Sequence, residues 1–316
     1  MNDKNETRVL VIKLGALGDL VLCARAFASL RARFPNARFA LLTGAPFVAF
    51  GRAMPWFDEV IVDPRPSIKR PDLWARLARD VARFAPTHVF DFQGKFRQTV
   101  LYALLGGPFT RFWSGAAPFC AAPRLWPPVE DMHYTDFIAA QLARAQVPLV
   151  DEDGLAWLDG SLDAFDLPER FALLIPGCSP QRLYKRWPPA SYAALAERFA
   201  KRGIGCLMIG TNAEAETLAA ITASAPFVRN LGGQTSLGQI AALARRAICV
   251  VGNDTGPTHI AAATGAPTLS LIAANLNPVW SCPKGPRSAW LGAAPLADLA
   301  VEAVWEKVAV LAALAA

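Results

Sequence analysis

Gly252-Asn253-Asp254-Thr255-Gly256-Pro257-Thr258-His259 follows the apolar run Ala247 to Val251 and leads into the small-residue stretch Ile260 to Thr264. It reads as a strand that ends, a glycine-bearing turn, and a helix that begins. The first N–H groups of a helix lack partners and the macrodipole is positive there, so such a turn is an anion site. A second glycine-bearing strand-to-helix turn, Gly15-Ala16-Leu17-Gly18-Asp19, stands near the N-terminus. One such turn in each half points to a phosphate-containing ligand bound between two α/β domains.

The composition agrees with that outline. A chain of 316 residues fits two domains of ordinary size. With 53% hydrophobic and 18% charged residues it is globular rather than disordered. Its net charge of +6 favours an anionic partner: nucleic acid, a membrane surface or a phosphorylated small molecule. Cys23, Cys120, Cys178, Cys206, Cys249 and Cys282 show no C-x-x-C spacing and are expected to be reduced core residues of a cytoplasmic protein. Lys13, Asp19 and Arg25 interrupt the first apolar region, which argues against a signal peptide or a membrane span. The Ala/Leu-rich C-terminus carries Asp298, Glu302, Glu306 and Lys307 and reads as an amphipathic helix.

Apolar runs predict strands at Val9–Leu14, Phe39–Leu42, Val60–Val62 and Val89–Phe92. Helices are predicted at Asp19–Phe34, Leu73–Phe84, Phe96–Leu105 and Asp131–Ala145, and the Pro/Gly/aromatic-rich stretch 106–128 is left without elements. After the turn-rich segment 148–168 the alternation resumes. Strands are expected at Phe171–Ile175, Ile204–Ile209, Phe227, Ile248–Val251 and Thr268–Ile272. The helices between them are Ser191–Arg202, Ala213–Ala223, Leu237–Arg246 and Thr258–Thr264. Such alternation implies parallel sheets with right-handed crossovers, in an N-terminal domain 1–160 and a C-terminal domain 161–316. Ligands gather at strand C-terminal ends, so a cleft between two Rossmann-like halves is a natural nucleotide site. A dinucleotide dehydrogenase fits poorly. Gly15-Ala16-Leu17-Gly18 lacks the full glycine fingerprint, and the second strand ends Leu42-Thr43-Gly44 with no acid for a ribose. No P-loop motif occurs.

Several short motifs, in order, carry a family resemblance. They are Ile12-Lys13-Leu14-Gly15-Ala16-Leu17-Gly18-Asp19, Asp91-Phe92-Gln93-Gly94, and Pro176-Gly177-Cys178-Ser179 leading to Lys185-Arg186-Trp187-Pro188. Gly210 with Glu214, Asn230-Leu231-Gly232-Gly233 and Asp254-Thr255-Gly256-Pro257-Thr258-His259 complete the set. In these the chain resembles the bacterial heptosyltransferases, family 9 of the glycosyltransferases. The resemblance implies an α/β glycosyltransferase-B fold, two Rossmann-like domains with parallel sheets facing a central cleft, and a last helix able to pack back on the N-terminal domain. It also implies an ADP-heptose donor, a lipopolysaccharide inner-core acceptor and inversion at the anomeric carbon. Alternatives are a different donor sugar, a protein or other glycan acceptor, or a non-catalytic nucleotide-sugar binding protein.

From spacing alone Asp19 caps its helix; the resemblance makes it the general base. A carboxylate suits both the acceptor proton and nearby oxocarbenium charge. Its own charge repels a diphosphate, which puts the donor on the other domain. There the Thr255-Gly256 backbone and the Thr258 side chain are expected to donate to phosphate, with His259 alongside or simply packed. Lys185, with Arg182 and Arg186 nearby, would neutralise the leaving ADP, and Ser179 is a phosphate or sugar ligand. Glu214 accepts ribose hydroxyls or serves as a first-turn acid, and Asp254 caps its helix or meets sugar hydroxyls.

On the acceptor side the expected residues are Gly15, Gly18, Lys69, Arg70, Gln93 and Gly94. Arg65, Lys69, Arg70, Arg76, Arg79 and Arg83 form a basic stretch suited to an anionic, lipid-linked core oligosaccharide, or a solvated helix face. Peripheral contact with the inner membrane surface follows, from the cytoplasmic side. Nucleic acid is disfavoured because the aromatics do not alternate as stacking platforms. No D-x-D motif or His/Cys ligand cluster occurs, so no cofactor and no metal are expected. The sequence departs from the family pattern at Ala273-Ala274-Asn275-Leu276-Asn277-Pro278, which leaves the donor sugar open, and Trp113 to Pro128 offers no acceptor signature.

Overall fold

A computed structural model of the chain describes residues 6–109, 111–125, 131–151, 155–274 and 277–314. Parts of the expected boundary segment (152–154), of the Trp113 to Pro128 stretch (126–128) and of the loop after Ala273 (275 and 276) lie outside them. Two compact units are present, Met1–Glu152 and Asp153–Ala316. The division falls eight residues before the boundary expected at 160.

The first unit holds strands β1 (Arg8–Ile12), β2 (Arg38–Gly44), β3 (Glu59–Asp63), β4 (His88–Asp91), β5 (Phe112–Gly115) and β6 (Ala122–Pro123). Its helices are α1 (Leu17–Leu22), α2 (Ala24–Arg33), α3 (Val48–Ala53), α4 (Pro71–Phe84), α5 (Phe96–Leu104) and α6 (Tyr134–Arg144). The strands form one sheet, β3-β2-β1-β4-β5-β6, with every neighbouring pair parallel. Val9, Leu10, Val11 and Ile12 are all fully buried, as a continuous apolar run in a sheet covered on both faces must be. In α4 the buried residues Trp74, Leu77, Val81 and Phe84 recur at helical spacing and cover that sheet. The helix expected over Asp19–Phe34 is broken at Cys23 into α1 and α2. Strands β5 and β6 were masked by the prolines and glycines around them. They form because Trp113 is buried against Tyr102, rings 5.0 Å apart, and β5 pairs with β4.

The second unit repeats the plan. Its strands are β7 (Phe171–Ile175), β8 (Gly205–Met208), β9 (Arg229–Asn230), β10 (Cys249–Asn253), β11 (Thr268–Ala273) and β12 (Ser288–Ala293). Helices α7 (Pro189–Ala200), α8 (Ala215–Ser224), α9 (Leu237–Arg246), α10 (Gly256–Ala263), α11 (Pro278–Ser281) and α12 (Val301–Leu311) accompany them. The sheet order is β12-β11-β10-β7-β8-β9, again all parallel. The last helix, α12, joins the core of its own unit: Val304, Trp305 and Val308 are buried there, Trp305 edge-on to Phe199. Among the described residues no helix is long and apolar enough to cross a membrane. Because all strands in a sheet run one way, the turns after β1 and β4 share one edge, and those after β7, β8 and β10 share another.

Candidate active site

In the first unit, Lys13 to Ala16 turn β1 into α1. Gly15 has φ +109°, and a Cβ there would lie 2.1 Å from Cε2 of Phe47, so only glycine passes. Gly18 is buried within α1. Asp19 sits in the first turn, where its Oδ2 accepts the Ala16 N–H at 3.1 Å. The carboxylate therefore does tie down its helix start, while 39% of the side chain remains exposed.

Oδ2 of Asp19 also lies 3.4 Å from Nζ of Lys13, a residue only 3% exposed. Nζ donates to the Tyr134 hydroxyl at 2.7 Å and stands 4.3 Å from that ring's centre; the hydroxyl in turn donates to the Phe92 carbonyl at 2.7 Å. Burial pushes the Tyr134 hydroxyl well above its usual range and the neighbouring Cys23 thiol up to about 11, so both stay neutral. Sequence reasoning met Lys13 as an interruption of an apolar strand and within the matched motif, and it missed Tyr134. A charged residue in an otherwise buried strand was the available signal.

Gln93 reaches across from the end of β4, its Oε1 accepting the Leu14 N–H at 2.9 Å. It braces the β1 turn. Gly94 has φ +55°, and its carbonyl accepts from Arg124 at 3.0 Å; a Cβ there would meet Nη1 of Arg124 at 1.9 Å. The preceding Asp91, 1% exposed, accepts the Gln93 and Gly94 N–H groups through Oδ1 at 3.0 and 2.8 Å. Its Oδ2 has no hydrogen-bond partner among the described residues. Burial raises this carboxyl to about 6, against those N–H groups and the charges of Arg124 and Lys13.

The basic stretch does not act as one cluster. Arg65 turns inward and donates to the Leu14 carbonyl at 2.6 Å. Arg70 is paired with Asp72, and Arg76 and Arg83 reach Asp80. Lys69 is exposed and has no ion-pair partner among the described residues.

In the second unit the end of β10 is pinned by Asn253, which is fully buried. Its Oδ1 accepts from the Trp187 N–H and the Tyr192 hydroxyl, both at 3.1 Å, and its Nδ2 donates to the Pro176 and Gly177 carbonyls. Nothing in the local sequence assigns Asn253 this role. No side chain caps α10 at Thr255, so the N–H groups of its first turn have no side-chain cap. Thr258 is fully buried, and its hydroxyl donates to the Asn253 carbonyl at 2.7 Å.

Asp254 does not cap α10. Its Oδ2 lies 2.6 Å from Nζ of Lys185, and its Oδ1 lies 3.3 Å from Nε2 of His259. Burial alone would raise this carboxyl, but the hydrogen bonds and charges of His259 and Lys185 prevail and lower it to about 2. A buried lysine needs a counter-charge, and Asp254 supplies it. His259 Nδ1 is buried with no hydrogen-bond partner among the described residues.

Glu214 closes the short helical turn Asn212–Glu214 between β8 and α8. Its Oε2 accepts both the N–H and the hydroxyl of Thr211, each at 2.6 Å, which makes it the first-turn acid expected as one alternative. Gly177 allows the β7 turn to approach it: a Cβ there would lie 2.7 Å from Cγ of Glu214. Ser179 is exposed and donates to Gln181 Oε1. Arg186 points to the Cys178 carbonyl and Thr217 rather than joining Lys185. The fold thus gathers Lys185, Asp254, Thr255, Gly256, Thr258 and His259 at one point, with Glu214 beside Gly177 on the same sheet edge.

Two all-parallel Rossmann-like sheets, the second with an uncapped helix start beside a buried lysine, have the architecture of the glycosyltransferase-B fold. The solved structures agree on the fold. A family 9 glycosyltransferase of Veillonella parvula superposes with a TM-score of 0.80 over 98% of both chains at 19% identity. Heptosyltransferase WaaC of Escherichia coli, solved with ADP, gives 0.73 over 96% of this chain and 100% of its own, also at 19% identity. Residues 142–289 match glycosyltransferase family 9 (heptosyltransferase). The lipopolysaccharide core heptosyltransferase OpsX of Haemophilus influenzae is 30% identical over 156 residues, 48% of this chain. The chain spans 43% of that relative's length, under half.

Proposed function

We propose that the chain is an inverting glycosyltransferase that moves heptose from ADP-heptose to an anionic, lipid-linked inner-core oligosaccharide. The observation that carries this reading is Lys185 beside the Thr255–Gly256 turn at the start of α10. An ammonium has three donors, so Lys185 can keep Asp254 and still contact a diphosphate. The backbone N–H groups of α10 would share that load and stabilise the departing ADP. Glu214, with Oε1 outside its capping bonds, is the ribose acceptor. Asp19 takes the proton of the acceptor hydroxyl as it attacks, and its charge balances the oxocarbenium character of the sugar. The cation and the helix terminus do the work of a divalent ion, and no metal is proposed.

The acceptor-side roles of Gly15, Gly18, Lys69, Arg70, Gln93 and Gly94 belong to the same proposal, Gln93 and Gly94 as shapers of the turn. Peripheral contact with the cytoplasmic face of the inner membrane is supported by Ile68, Phe96 and Phe119. They are 74%, 71% and 89% exposed on segments that follow β3, β4 and β5 at one sheet edge. Sedimentation with anionic vesicles tests this; no binding removes it.

A family 9 transferase with another donor sugar, or a protein or other glycan acceptor, is the second reading, favoured by the departure that begins at Ala273-Ala274. A non-catalytic nucleotide-sugar binder has no use for both Asp19 and Lys185. The test is ADP release from ADP-heptose with truncated core acceptor. Asp19→Ala should keep donor affinity and lose turnover by about 10² or more; unchanged turnover would take Asp19 out of the mechanism.

A further inference from the structure

We propose that Lys13 is a positioning residue for Asp19: anchored by the Tyr134 hydroxyl, it holds one carboxylate oxygen and leaves the other to receive the acceptor proton. This rests on the reading of Asp19 as the base. Oδ2 is engaged twice, by the Ala16 N–H at 3.1 Å and by Lys13 Nζ at 3.4 Å. Oδ1 takes part in neither contact, and the side chain is 39% exposed. Lys13 itself cannot swing away. It is 3% exposed, bonded to Tyr134 at 2.7 Å, and Tyr134 is fastened to the Phe92 carbonyl at the end of β4. The carboxylate is thus oriented from β1, α1, β4 and α6 together.

A lysine could serve this site as fold glue alone, so the test must separate the two roles. Positional errors near 1 Å in a reacting group cost about 10² in rate. Lys13→Ala should therefore lower kcat about 10²-fold with the KM for ADP-heptose unchanged, and added methylammonium should restore part of the loss. In an Asp19→Asn background the same substitution should cost nothing further, because there is no base left to orient. Tyr134→Phe, which keeps the ring and removes the anchor, should fall between wild type and Lys13→Ala; it carries the test if Lys13→Ala does not fold. A folded Lys13→Ala or Tyr134→Phe enzyme with wild-type kcat would sink the inference and spare the base. An equal loss in the Asp19→Asn background would also sink it. Wild-type turnover in Asp19→Asn alone would remove the base and this inference with it.

Discussion

Nζ of Lys185 and Oδ2 of Asp254 lie 2.6 Å apart, joining residues 69 positions apart in sequence at the start of α10. The pair is largely buried, and His259 closes it from the other side. Removing one partner strands the other, at a typical cost of 3–5 kcal/mol for a buried pair. Lys185→Ala is therefore expected to lose on the order of 3 kcal/mol of stability, His259 softening the effect. It should also weaken ADP binding at least tenfold by calorimetry; unaltered ADP affinity would contradict the phosphate assignment.

Asp91 and Asp254 should respond to pH with opposite signs. The folded-state value of Asp91, about 6, lies above its ordinary 3.8. Its contribution is complete below 3.8 and is lost as pH rises through 6, amounting to about 3 kcal/mol. Asp254, lowered to about 2, contributes above 3.8 and loses that contribution as pH falls towards 2. Asp91→Asn should flatten the fall in Tm between pH 4 and 7 and leave the acid limb; a wild-type slope in that variant would exclude Asp91 as the cause.

Gly177→Ala would place a methyl 2.7 Å from Cγ of Glu214. Overpacking of this kind costs about 1–3 kcal/mol. Glu214 would have to leave its bonds with Thr211, so ADP binding should weaken while ribose-free pyrophosphate binding does not. Equal effects on both ligands would deny Glu214 a ribose role.

Asn253→Ala removes two acceptor and two donor bonds from a fully buried site. Buried groups left unpaired cost about 1–3 kcal/mol each and do not add fully. A loss of roughly 3 kcal/mol in denaturant unfolding is expected, and a loss below 1 kcal/mol would mean that water replaces the amide.

Local chemistry was legible without coordinates. The apolar run of β7 and the period of α9 coincide with their predicted bounds, because burial on both sheet faces and helical spacing are written into neighbouring residues. The turn at Gly15 and the helix start at Gly256 were equally plain, since glycine and a following helix are short-range signals; β10 itself runs two residues further than expected, through Gly252 to Asn253. Strands β5, β6 and β12 were not, because pairing with a sheet neighbour overrode weak local patterns. The site divides in the same way. Asp19, Lys185 and the Asp254–His259 turn could be named from order and spacing. That Lys13 meets Tyr134 across 121 residues, that Lys185 is held by Asp254, and that Thr258 turns its hydroxyl inward depended on packing. Ion pairs and buried hydrogen bonds form between residues that burial forces to satisfy one another, and which residues those are is settled only once the chain has closed on itself.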